Sequence, residues 1–505
     1  MQAFRLKSVL LWPLKLLLII GVMIHCLLSH FLSIISSFAK YEDDEGTIQY
    51  SEQVLMKKEI QLSTSQTRER ILIMGGRAPV ALDYLRIFSK QGHEVHLVES
   101  PYYQPMFLSR FSKYATHTHY LSVMPNKNFD VFQRELAKIC KDNEISLLLP
   151  TCEEVFHVAR AKEFIEKETT GKCFIFTENI DHLKELHNKF DFVQYVSKSE
   201  QAFNRERKHA HVKAPKSILI SKQSTSHELD EFWKECNGEI VMKPSYSRFA
   251  SQTIVKPTRD NYLEIVKNIR EHPEQTWVAQ KYIHGSLLCT YSVCQNGKML
   301  AHTCYVGGKH TPNGTPVGST VYFEQLNNKE ISHAMEQWIS NLVQERNYTG
   351  QISFDFIAES TNDLVHNTES QTIYVLECNP RATSGVHLFA DNSQAFSLCF
   401  LKSNEGDMAL KDSNVVYPNP ITRKQILGGM ILSLLVGCQS VRLCFNWLFD
   451  VMKCGVERDV LFEPNDFLPF YIQILFLIDP FIKMFRFGVG LLETMTFDIE
   501  WNGEM

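Results

Sequence analysis

Between Tyr348 and Ala390 the chain reads YTGQISFDFIAES, a polar insert, and TIYVLECNPRATSGVHLFA. Two short apolar runs stand out. Ile352–Ile357 carries Asp355, and Ile373–Leu376 delivers Glu377, followed by Asn379 and Arg381. Side chains alternate faces along a strand. Glu377, Asn379 and Arg381 are therefore expected to point one way at a strand end, with Asp355 completing the cluster from a neighbouring strand. Two carboxylates and an amide oxygen are hard ligands for Mg²⁺ or Mn²⁺, a cation that substrate phosphates would also hold. An arginine one step further suits bidentate capture of a carboxylate or phosphate oxygen. The plain alternative is a hairpin with surface acids.

ECNPR after an apolar strand, paired with FDF, resembles the ATP-grasp ligases, the superfamily of biotin carboxylase, carbamoyl phosphate synthetase and D-alanine–D-alanine ligase. The resemblance covers Ile71 to about Ala390. It implies an α/β ATP-grasp fold preceded by a Rossmann-like domain, with ATP and Mg²⁺ as cofactors. Residue by residue, it makes Asp355, Glu377 and Asn379 the metal ligands and places Arg381 at substrate oxygens. Lys189, in LHNKFDFVQYV, and Lys243, in EIVMKPSY, match phosphate-contacting lysines, and Lys243 joins Arg381 as a catalytic residue. TWVAQKYI resembles the adenine hinge. There Gln280 assists and main-chain groups of Lys281, Tyr282 and Ile283 would bond the adenine edge.

The sequence departs from the family twice. The loop after Lys243, SYSRFAS, has no glycine, so Ser245, Ser247 and Arg248 are expected to cover the phosphates. GSLLCTYS, beyond the hinge, lacks a ribose-binding acid. The whole layout is similar to mycosporine-glycine synthase-like proteins: an apolar N-terminal segment, ILIMGG, NKF, KPSY, TGQISFDF, ECNPR and an apolar C-terminal region. That similarity implies an amine-ligating biosynthetic role through a phosphorylated intermediate.

The elements that must position these residues span 505 residues, enough for three or four domains. Hydrophobic content of 44% and charged content of 22% suit a globular core. A net charge of −5 argues against a nucleic-acid partner. The 13 cysteines form no CxxC pair and no zinc spacing, so they are expected to be reduced core thiols of a cytosolic domain.

Residues 1–40 are expected to form a membrane segment, because the apolar run Val9–Phe38 is long enough to span a bilayer. Residues 41–70 read as a linker, 71–185 as the Rossmann-like domain and 186–400 as the ATP-grasp domain. Residues 401–505 read as a helical region that either lies at a membrane surface, with Lys483 and Arg486 interleaved among Phe and Leu, or packs on the protein's own core. Arg5, Lys7 and Lys15 precede the first apolar run, and the positive-inside rule would leave the catalytic domain outside. An ATP-dependent enzyme works in the cytosol, which favours a monotopic anchor with the catalytic domain cytoplasmic.

Within 71–185, Ile71–Gly76, Glu94–Val98, Ile145–Leu149 and Cys173–Phe176 read as strands that alternate with helices at Ala78–Gln91, Phe129–Cys140 and Glu153–Glu166. This pattern predicts a parallel sheet. Gly75 and Gly76 make a tight turn, without the GxGxxG of a dinucleotide site. Leu287–Cys294 and Met299–Tyr305 predict a hairpin over Asn296-Gly297, and Val306–Gly318 is a candidate substrate lid. The sum is an ADP-forming carboxylate–amine ligase at a membrane surface, acting on a small-molecule acceptor and an amine. The alternative is a nucleotide-binding pseudoenzyme or membrane scaffold. The acceptor, the amine and the oligomeric state are left open.

Overall fold

The computed structural model describes residues 13–22, 68–103, 106–203, 210–247, 252–271, 276–310, 320–359, 371–402, 414–436, 440–455, 458–488, 494 and 496–503. Three sheets carry the described chain.

The first contains β1 (Arg70–Met74), β2 (Glu94–Glu99), β3 (His117–Tyr120), β4 (Leu147–Leu149) and β5 (Phe174–Ile175), in the order β3-β2-β1-β4-β5. Every neighbouring pair is parallel, as the alternation of strands and helices predicts. β1 reads RILIM and buries four of its five residues, which suits a strand covered on both faces. The helix Pro79–Lys90 opens with proline, whose fixed φ suits a first turn. Gly75 has φ +73°, and a Cβ on Gly76 would lie 2.6 Å from the Phe107 ring. The glycine pair is therefore a turn packed under an aromatic ring.

The second sheet orders β7 (Ser217–Ile220), β10 (Trp277–Lys281), β8 (Ile240–Pro244) and β9 (Ile254–Val255), all antiparallel. The third has seven strands: β16 (Arg423–Gln425), β13 (Tyr322–Gln325), β12 (Lys298–Val306), β11 (Gly285–Gln295), β14 (Gly350–Glu359), β15 (Gln371–Asn379) and β6 (Ala210–Lys213). Asn296 and Gly297 turn the β11–β12 hairpin with φ of 49° and 73°, the left-handed pair that a two-residue turn requires. Behind this sheet lies the helix Lys329–Glu345, capped by the Asn328 side chain. Its Trp338 is fully buried against Phe192, Phe354 and Phe356.

The C-terminal region is part of the protein's own core. β16 pairs with β13. Buried Asp466 accepts from Arg86 at 2.8 Å, and buried Asp498 pairs with Arg77 at 2.6 Å. Among the described residues no helix is long and apolar enough to cross a membrane. The sequence placed Lys483 among lipid headgroups; instead it is buried, 2.6 Å from Asp479 Oδ2 and 3.2 Å above the Tyr103 ring. Residues 13–22 form a helix whose Leu14, Leu18, Ile19 and Val22 pack on the core, and Lys15 is 1% exposed. The rest of the expected membrane segment and nearly all of the expected linker lie outside the described residues.

Candidate functional site

β14 and β15 run antiparallel with Asp355 directly opposite Glu377 and Ser353 opposite Asn379. The register slips between Asp355 and Phe356, which leaves Leu376 as an extra residue on β15. Such bulges recur next to active sites, where they re-aim side chains. Here the Leu376 carbonyl accepts from Lys243 Nζ at 3.3 Å. A cavity of about 270 Å³ opens over this pair. Asp355, Glu377, Asn379, Arg381, Lys243, Gln280, Lys281, Tyr282 and Ile283 all line it, from two different sheets. Lys189 is buried beside them, with Nζ 3.7 Å from Glu377 Oε2. Lys243 Nζ stands 3.9 Å from the same oxygen.

Burial and the charge of Glu377 push the Asp355 carboxyl up. Burial would raise Glu377 too, but Lys189 and Lys243 outweigh it and hold Glu377 well below the usual carboxylate range. Burial brings Lys243 down to about 8 against the pull of Glu377. The site therefore holds one firm carboxylate, one carboxyl that shares its neighbour's charge and a lysine poised to lose its proton.

Arg381 lies just past β15 and folds back. Its Nη2 donates to Asn379 Oδ1 at 3.2 Å, and its Nε donates to Glu153 Oε1 at 3.0 Å. Glu153 is fully buried and comes from the loop after β4, 228 residues away in sequence. Burial works against the Arg381 charge, and Glu153 more than offsets it, so the guanidinium pKa is raised. Sequence reasoning missed Glu153. The signal was there in LLLPTCEE, an acid at the C-terminal end of a parallel strand, where sites in open α/β sheets gather. His187, 4.0 Å from Glu153, is brought by burial to about 4 and stays neutral.

The amides of Lys281 and Tyr282 donate to Lys216 O and Glu239 O, at 2.8 and 2.9 Å, and the Ile283 amide donates to no described group. One expectation needs correction. Ser245 does not cover the cavity: its hydroxyl accepts from Thr276 Oγ1 at 2.8 Å and it is buried. Arg248 and residues 311–318 of the candidate lid lie outside the described residues. The near end of that lid is tethered, with Lys309 on Glu324 and His310 on Asp450.

Removing one partner of a buried ion pair strands the other charge and costs about 3–5 kcal/mol. Glu153→Gln should destabilise the protein by that order in denaturant unfolding. Arg381→Leu on top of it should add much less than it does alone. Additive losses around this cycle would mean that the two groups are not coupled.

No family model matches the sequence, and no curated protein matches it. Solved structures do. The biotin carboxylase domain of the Hydrogenobacter thermophilus 2-oxoglutarate carboxylase, in complex with MgADP, ADP and bicarbonate, overlaps at a TM-score of 0.51 with 11% identity, over 68% of this chain and 71% of that one. Biotin carboxylase from Campylobacter jejuni overlaps at 0.48 with 13% identity, over 67% and 73%. L-amino acid ligase from Bacillus licheniformis overlaps at 0.46 with 12% identity, over 68% and 76%. The first of these overlaps shows the architecture that the three sheets share with it: this chain has the ATP-grasp fold.

Proposed function

We propose that the protein is an ATP- and Mg²⁺-dependent, ADP-forming ligase that phosphorylates a small-molecule acceptor, a carboxylate, and couples it to an amine. One observation carries this reading. Asp355 and Glu377 face each other across adjacent strands inside a single cavity that also holds Lys243, Arg381 and the hinge. The solved relatives with ADP or MgADP support the nucleotide.

Asp355, Glu377 and Asn379 fit Mg²⁺ as an all-oxygen, doubly anionic set, and the ion would offset phosphate charge. Lys189 and Lys243, now held by Glu377, supply positive charge for the phosphates. The hinge, beyond Lys243 on the neighbouring strand, would take the adenine. Arg381, steadied by Glu153, faces the cavity beside Ser353 and Thr383, whose hydroxyls are 2.9 Å apart. That corner would hold the acceptor oxygen. The oxygen attacks the terminal phosphorus and the bond to ADP breaks. The amine nitrogen then attacks the acyl carbon, and phosphate leaves with the acceptor's oxygen. The protein contributes position and charge. Cys289, in the cavity wall, is no nucleophile, since burial pushes its thiol well above the usual range.

The glycine-free loop, with Ser245 turned away, favours one other reading, a pseudoenzyme that binds nucleotide without turnover. Acceptor labelled with ¹⁸O at the reacting carboxylate separates the two. The ligase releases ADP and phosphate carrying one label. AMP and pyrophosphate, unlabelled phosphate or no turnover would overturn it.

Lys243 adds a pH signature. Phosphates need its charged form, so nucleotide binding favours protonation. ADP affinity should be full below about 8 and fall by up to tenfold per pH unit above it, as the lysine of the free protein loses its proton. Calorimetry from about pH 7 to about pH 9 reads this, and Lys243→Arg should flatten it. An unchanged slope in that variant would place the effect elsewhere.

A monotopic attachment to a lipid surface, with the site on the cytosolic side, belongs to the same proposal. Its support is the exposure of Leu16, Leu17 and Ile20 on helix 13–22, of Phe445, Phe449 and Met452 on Val441–Cys454, and of Ile482 and Phe485 on Leu468–Phe487. The protein should sediment with phospholipid vesicles, and Phe449→Glu with Phe485→Glu should weaken that. Equal sedimentation of the double variant would remove these side chains from any membrane contact.

A further inference from the structure

The edge of the parallel sheet carries a feature that the ligase reading does not use. β2 and β3 pair in register with His96 opposite His117 and Val98 opposite His119. Alternation therefore brings Glu94, His96, His117 and His119 onto one face of the sheet. The edge strand reads HTHY and its neighbour EVH, so both i, i+2 pairs are visible in the sequence.

We infer that Glu94, His96 and His117 form a metal site for a borderline divalent cation of the Zn²⁺ class, with His119 orienting His96. Glu94 Oε1 lies 3.3 Å from His96 Nε2 and 3.6 Å from His117 Nε2, and the three ligand atoms all fall within 4.8 Å of one another. Tetrahedral zinc with bonds of about 2.0–2.2 Å holds neighbouring donors roughly 3.3–3.6 Å apart. Two of the three edges already have that length.

The other oxygen of Glu94 is occupied separately. Oε2 sits 3.5 Å from both Arg68 and Arg70, which leaves Oε1 turned to the imidazoles. Behind the cluster, His119 Nε2 is 2.9 Å from His96 Nδ1, with the two rings 1° from parallel. A proton held in that contact on His96 Nδ1 leaves Nε2 free to ligate, the usual service of an outer partner to a metal-bound histidine. His96 is 2% exposed, so its ring is held in place by the surrounding sheet.

Two imidazole nitrogens and one carboxylate suit Zn²⁺ and disfavour Mg²⁺. Three protein ligands leave a fourth position beside the half-exposed His117. The ion would staple the four-residue edge strand β3 to β2.

The test uses the full chain, tag-free and stripped with chelator, titrated with Co²⁺ and then Zn²⁺. Expected is one tetrahedral Co²⁺ absorption signature, displaced by Zn²⁺, together with a rise in melting temperature. His117→Ala and Glu94→Gln should lose both signals; neither residue is fully buried, so folding survives and far-UV circular dichroism checks it. His119→Ala should weaken affinity by about 10–100-fold. Glu377→Gln should keep the signature, which separates this site from the nucleotide cavity. Absence of a tetrahedral signature, its survival in His117→Ala, or its loss in Glu377→Gln alone would overturn the proposal.

Discussion

Two partly buried carboxylates placed opposite each other are the constraint from which the rest of the cavity follows. At roughly 4 Å and an effective dielectric near 20, like charges repel by about 4 kcal/mol. Asp355 and Glu377 are opposed on neighbouring strands, so the fold has to supply cations from elsewhere. Lys189 comes from the start of the helix Lys189–Phe203, Lys243 from β8, and Arg381 from the turn after β15. Each of these also has a price. The two lysines are buried and lean on one oxygen of Glu377. Arg381 needs its own carboxylate, and that is Glu153 from the first sheet. The parallel sheet thus reaches the ligand cavity through a buried ion pair, and the relative placement of the two sheets is tied to the charge state of the site.

What was legible in the sequence had a local signature. The strands that carry Asp355 and Glu377 alternate over several residues, the β11–β12 turn carries Asn-Gly, and the first domain repeats strand and helix. What was not legible lacked one. Glu153 meets Arg381 only through tertiary packing. β3, β9 and β16 have four, two and three residues, too few for a period to show. β3 is rich in polar residues because it is a sheet edge, and the bulge at Leu376 is invisible without its partner strand.

The apolar termini illustrate a different limit. A run of Leu, Ile and Phe reports burial but not the solvent it is buried in. Leu468–Phe487 is long and apolar, yet its Lys483 is neutralised by Asp479 and covered by Tyr103 inside the protein. Arg77 stacks on that ring at 3.6 Å and pairs with Glu99 and Asp498. Lys483, which looks like a headgroup anchor in sequence, is here an internal link between the first sheet and the C-terminal region, whereas Arg486 stays exposed.

The same C-terminal region accounts for the loop after Lys243. The start of that glycine-free loop is anchored by main-chain hydrogen bonds. The Ser245 amide donates to Thr276 O at 2.9 Å, and the Ser245 carbonyl accepts from the Lys189 amide at 3.0 Å. Tyr246 is pressed against Gly503, where a Cβ would stand 2.5 Å from its ring and φ is +87°. Close by, Trp501 stacks on Phe156 and meets His157 edge to face, beside Glu153. One short C-terminal stretch therefore braces both the loop that follows Lys243 and the helix that follows Glu153. Lys243 and the Arg381 partner Glu153 are thus both held by elements that pack on the same C-terminal stretch, so the charged groups of the cavity are positioned by the core around them.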